Sequence, residues 1–211
     1  GISRGDLALS GDLQERLNIP EQNVDRSLSM KIIVPLATGF EEIEAVTIID
    51  VLRRAQIDVT AVSLENNTVT GAHHISLQSD ELLENARPGD FSAIILPGGM
   101  PGSKNLLNSR PVIEFIHAIY DKGGLACAIC AAPIVLGRAG ILKGKKATCF
   151  PGFESHLEGA IIQTDPVVVD DRIVTGRGPG CAIPFALTIV ELLKGKDTAR
   201  VLREDMQVYW K

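Results

Sequence analysis

Short apolar runs recur along this chain, each cut off by glycine, proline or alanine and followed by a segment with helical periodicity. No other feature narrows the possible folds as much. Residues 31–36, 59–64, 91–96 and 125–129 read as strands, being short, apolar and bounded by turn residues. Residues 41–55 lack glycine and proline and carry Ile43, Val46, Ile49 and Val51/Leu52 at helical spacing. Residues 111–122 begin on Pro111 and run into Gly123-Gly124, the polarity expected of a helix. Further helices are expected over 133–139, 182–193 and 198–207. Residues 72–77 read as a short strand or edge extension, and 167–169 with 172–175 as a hairpin turning on Asp170-Asp171.

Strands alternating with helices predict an α/β fold: a doubly wound, mostly parallel sheet with helices on both faces. The 211 residues suit one substantial domain, assigned to 30–211. Residues 1–29 precede Met30-Lys31 and read as an N-terminal extension or expression leader, with a short helix around 7–17.

In such sheets the loops at the carboxyl ends of the strands build the site. Three stand out: 37–44, 97–102 and 130–133. The third is the most specific. Leu125-Ala-Cys-Ala-Ile-Cys-Ala-Ala-Pro-Ile134 carries an apolar strand into a helix opened by Pro133, with Cys130 flanked by alanines. Small residues around a nucleophile let the backbone turn sharply between strand and helix. Backbone N–H groups and the helix dipole there favour a thiolate. A lone cysteine among apolar residues is more often inert, but this setting makes Cys130 the candidate nucleophile.

Glu41 and Glu42 read as ordinary first-turn partners of a helix dipole. Glu44 follows Ile43 and falls on the flank of the apolar face. A carboxyl there, near a cysteine, can stay protonated, donate to the thiolate or shuttle a proton. Gly98 and Gly99 make either a tight connection or an oxyanion hole of backbone N–H groups.

Other chemistries fit less well. Four cysteines, at 127, 130, 149 and 181, do not make a disulfide framework in a chain of this length. Reduced thiols and a cytoplasmic location are expected. Cys127-x-x-Cys130 lacks the dithiol arrangement, because Cys127 falls inside the strand. His73, His74, His117 and His156 show no helical metal-ligand spacing, so neither metal nor cofactor is expected. His156-x-Glu158 superficially matches the His-x-Glu of class I glutamine amidotransferases, yet it follows the cysteine too soon and reads as a surface turn. A net charge of −5, relieved only by the knot of Lys143, Lys145 and Lys146, argues against nucleic acid. No apolar run approaches the roughly 20 residues of a membrane span.

Five stretches in order resemble the ThiJ/PfpI (DJ-one) family. They are Pro35-Leu-Ala-Thr-Gly-Phe-Glu-Glu-Ile-Glu-Ala-Val46, Asp50-Val-Leu-Arg-Arg-Ala55, Ile94-Ile-Leu-Pro-Gly-Gly99, Ala126-Cys-Ala-Ile-Cys-Ala-Ala-Pro133 and Thr175-Gly-Arg-Gly-Pro-Gly-Cys-Ala-Ile183. The resemblance implies a flavodoxin-like sandwich and a homodimer. It puts the easily oxidised nucleophile at Cys130 and its glutamate at Glu44. Gly98, Gly99 and the amide of Ala131 are then the anion pocket, and Arg54 lies near a dimer-side anion site.

The implied activity is a cofactor-independent glyoxalase or protein deglycase, as in the bacterial-like branch, acting on methylglyoxal or glycated protein. The alternative is a non-enzymatic oxidative-stress sensor or redox-regulated chaperone; a thiazole-phosphate biosynthesis label also attaches to the family. The chain departs from the human-like branch by carrying His73 in place of an arginine, and Cys149-Phe-Pro151 where that branch has a histidine. Ala131 stands where the protease-like branch has histidine, so peptidase activity is not expected.

Overall fold

The computed structural model describes residues 30–209; the expected extension over 1–29, with its short helix, lies outside them. The elements run β1 Lys31–Leu36, α1 Glu42–Arg54, β2 Asp58–Ser63, β3 Thr68–Thr70, β4 Ser76–Gln78, β5 Glu81–Leu82 and β6 Ala93–Leu96. They continue with α2 Gly102–Asn108, α3 Arg110–Tyr120, β7 Leu125–Ile129, α4 Pro133–Arg138, β8 Lys146–Ala147 and β9 Ile161–Ile162. The chain closes with β10 Val167–Asp170, β11 Ile173–Gly176, α5 Ala182–Lys194 and α6 Lys196–Asp205.

Seven strands form one sheet in the order β10-β11-β7-β6-β1-β2-β5. Every pairing in it is parallel except the β10–β11 hairpin at one edge. Side chains alternate across the pleat, and both faces are covered. From β1, Ile32, Val34 and Leu36 pack with α1 and α5, whereas Ile33 packs with α3 and α4 residues such as Phe115 and Val135. The expected α/β doubly wound, flavodoxin-like architecture is the one observed.

Two local expectations are corrected. Helix α1 does not bury Ile43 and Val46; these are 59% and 45% exposed. Its inward face is Glu44, Ala45, Ile48, Val51 and Leu52. The apolar stripe thus mixes core positions with a second, outward row that no described element covers. Residues 72–77 are mostly a turn, with only the last two joining β4, which pairs with β3 in a small separate sheet. Helix α2, short and rich in polar residues, gave no apolar periodicity to read.

Candidate active site at the Cys130 elbow

At the carboxyl end of β7 the backbone turns sharply, and Cys130 takes φ 63. A non-glycine residue in this left-handed region costs about 1–3 kcal/mol and persists only where its surroundings hold it. Here they do: Cys130 N–H donates to Gly176 O at 2.9 Å, and its carbonyl accepts from Phe150 N–H at 2.8 Å. The side chain is buried to within 8% of full coverage.

Neighbouring β6 ends in Pro97-Gly98-Gly99. The Gly98 N–H donates to Glu44 Oε2 at 2.7 Å. A Cβ on Gly98 would stand 2.7 Å from both Cys130 Cβ and that same Glu44 oxygen. Glycine at 98 is therefore what lets thiol and carboxyl approach each other. Glu44 is fully buried, and its Oε1 has no hydrogen-bond partner among the described residues. Glu41 caps α1 and orients the acid, its Oε2 accepting Glu44 N–H at 2.8 Å.

Burial pushes the Glu44 carboxyl up to about 7, against the pull of the Gly98 N–H, with the charge of Glu41 adding to the rise. Burial also pushes the Cys130 thiol up to about 12, reinforced by the charge and hydrogen bond of Glu44. The amides of Ala131 and Gly99 pull it the other way. This corrects the expected helix-favoured thiolate: α4 has only six residues, and burial outweighs its amides. After burial, the next cause is the charge of an ionised Glu44. The two groups titrate as a pair, and a protonated Glu44 becomes a hydrogen-bond donor for the sulfur.

A model of the DJ-1/PfpI family matches residues 30–192. The chain belongs to this family. DJ-1 homolog B of Arabidopsis thaliana is 42% identical over 82% of this chain, which spans only 40% of that protein's length. Oxidised Toxoplasma gondii DJ-1 superposes with a TM-score of 0.82 at 34% identity, covering 86% of this chain and 100% of its own. Drosophila melanogaster DJ-1beta does so with 0.82 at 36% identity, and the same coverage.

Of the residues expected at this DJ-1/PfpI-type site, Cys130, Glu44, Gly98, Gly99 and Ala131 come together. Gly98 differs from expectation in one respect: its N–H is engaged by Glu44, so it positions the acid, and the amides facing the sulfur are those of Gly99 and Ala131. Arg54 lies ten residues along α1 from Glu44, about 15 Å away at the helical rise. It is exposed and bonded to Asp50 at 2.7 Å.

His73 sits on the turn before β4 and docks on Glu42: its N–H donates to Oε1 at 2.6 Å, and Nδ1 lies 2.8 Å from Oε2. Hydrogen bonding to Glu42 raises the His73 pKa. Burial acts to raise Glu42, yet the His73 contacts outweigh it and hold that carboxyl below its ordinary value. His156 is exposed in the single turn Glu154–His156. Glu41 was not singled out from the sequence as a site residue. Its signal is the spacing Glu41-x-x-Glu44, an acid at the helix cap three positions before the acid it orients.

Proposed function

We propose that this chain is a cofactor-independent glyoxalase and protein deglycase that acts on methylglyoxal and its adducts through Cys130. The carrying observation is the buried Glu44 carboxyl, fixed by Gly98 through one oxygen and interacting with the Cys130 side chain. The Cys130 sulfur adds to the aldehyde carbon, and the aldehyde oxygen takes a proton to give a hemithioacetal. Glu44 removes the proton from that carbon and returns one to the neighbouring carbonyl carbon. The amides of Gly99 and Ala131, which oppose the rise of the Cys130 thiol, favour the anionic states. Water then cleaves the thioester, releasing lactate and the thiol. The test is lactate formation from methylglyoxal without glutathione. Cys130→Ser should abolish it and Glu44→Gln should cut kcat at least 100-fold; unchanged turnover in Cys130→Ser would overturn the reading.

A second reading, an oxidative-stress sensor, rests on the same amides. They and a protonated Glu44 are suitable donors for a sulfinate on Cys130, and one similar protein is described in oxidised form. Intact mass after mild peroxide should show two added oxygens on Cys130; oxygens on Cys181 instead would exclude it.

The proposed protein is a homodimer, supported by the uncovered Ile43 and Val46 on α1 and by exposed Ile75. Its four free cysteines support a cytoplasmic setting. None of the described helices is long and apolar enough to cross a membrane.

A further inference from the structure

We propose that Phe150 is the specificity-determining residue of the Cys130 site. Given the aldehyde chemistry proposed above, its ring is the wall that takes the substituent of an α-oxoaldehyde, and it makes apolar-substituted α-oxoaldehydes better substrates than glyoxal. The main chain sets the position of Phe150. Thr148 N–H donates to Thr175 Oγ1 at 2.9 Å, and Phe150 N–H donates to Cys130 O at 2.8 Å. Residues 148–150 therefore bridge β11 and the elbow, and Phe150 is tied to the nucleophilic residue itself.

The ring is seated on the backbone of Gly178, where a Cβ would stand 3.3 Å from Phe150 Cδ2 and 3.7 Å from Cε2. Gly178 lies two residues beyond Gly176, whose carbonyl accepts Cys130 N–H at 2.9 Å. Both main-chain bonds of Cys130 thus lead to this ring, one to Phe150 directly and one to the strand end that seats it. Strand order fixes the sides of the site, because β7 lies between β6 and β11. Gly98, at the end of β6, brings Glu44 to one side of Cys130, and a Cβ on Gly98 would meet Cys130 Cβ and the Glu44 carboxyl alike. The acid fills that side, and the Phe150 ring stands on the other.

Thr148 and Cys149 are buried, whereas Phe150 is 43% exposed, so the segment hides its neighbours and leaves one aromatic side chain at the rim. A ring held this way loses little freedom when a ligand covers it, and contact with an apolar group removes both surfaces from water. The sulfur adds to the aldehyde carbon, and Glu44 moves a proton from that carbon to its neighbour. The substituent on the neighbouring carbon takes no part in these steps, so it is the part of the substrate that a wall can read. Glyoxal carries only hydrogen there. Apolar pockets discriminate by about tenfold or more per methylene-sized group, and a half-exposed wall falls at the low end of that range.

The test compares phenylglyoxal with glyoxal on the full chain without glutathione, reading initial rates of mandelate and glycolate formation. Phe150→Ala should lower the phenylglyoxal-to-glyoxal ratio of kcat/KM by about tenfold. Phe150→Tyr keeps the ring and should keep the ratio of the unaltered chain. Each ratio is taken within one preparation, so a smaller folded fraction in a variant cancels. An unchanged ratio in Phe150→Ala, or a fall in Phe150→Tyr as large as in Phe150→Ala, would overturn the role of Phe150 and leave the activity standing. An unaltered chain that forms hydroxy acid from neither aldehyde would overturn the activity, and the role of Phe150 with it.

Discussion

Glu44 and Gly98, 54 residues apart in sequence, are joined by a 2.7 Å hydrogen bond from the glycine N–H to a fully buried carboxylate oxygen. This bond sets the acid against the thiol, and it exists only because position 98 lacks a side chain.

Replacing Gly98 by alanine puts a methyl carbon 2.7 Å from Cys130 Cβ and 2.8 Å from Ile129 O, neither of which can swing away. Overpacking of this kind costs about 1–3 kcal/mol. Urea denaturation should show a loss in that range, together with loss of methylglyoxal turnover. A stable, fully active Gly98→Ala protein would contradict the geometry.

The coupled pair predicts how Cys130 reactivity follows pH. Burial puts Glu44 near 7 and Cys130 near 12. Below about 7 the pair holds both protons and the sulfur is inert. Above that, one proton is shared, and the tautomer with a thiolate beside a protonated carboxyl becomes available. Iodoacetamide alkylation of Cys130 should therefore rise through an inflection near 7 and again at much higher pH. Glu44→Gln should lose the lower inflection and keep the upper one.

Stability should carry the same signature. Glu44 is raised from its ordinary 4.5 to about 7 in the folded chain, so its protonated form favours folding. That contribution is complete below about 4.5 and is lost as pH rises through about 7. The shift corresponds to about 3 kcal/mol at most. Thermal melts should find Glu44→Gln close to the parent at pH 4.5 and more stable than it at pH 8. A parent that gains stability relative to the variant between those pH values would reverse the sign.

The outward row on α1 predicts assembly. Ile43→Asp with Val46→Lys should convert a dimer to a monomer in sedimentation equilibrium while leaving the monomer folded, since both side chains lie outside the core. A parent protein that is monomeric at micromolar concentration would remove the basis for the dimer.

Some elements were legible to the residue. The strands Lys31–Leu36 and Leu125–Ile129 are continuous apolar runs because both faces of the sheet are covered, and such runs have sharp ends. The Cys130 elbow was legible for a similar reason: only small residues tolerate that turn between strand and helix. The burial of α1 was less so. Ile43 and Ile48 look alike in sequence, yet one is 59% exposed and the other is core, because hydrophobicity marks surface to be covered without saying by what. The strength of the thiol was misjudged, since local amides could be read from the sequence while burial and the charge of a distant glutamate could not.

By itself, the sequence determined the alternation of strand and helix, and hence which loops gather at the carboxyl edge of a parallel sheet. It also supplied a cysteine at a turn, an acid near a helix start and glycines after a strand. Only the tertiary structure decided what these residues do to one another. Packing β1, β6 and β7 side by side brings Glu44, Gly98 and Cys130 together, and the turn before β4 seats His73 on Glu42. Proton affinity depends on distances and burial across the chain, which local pattern does not encode.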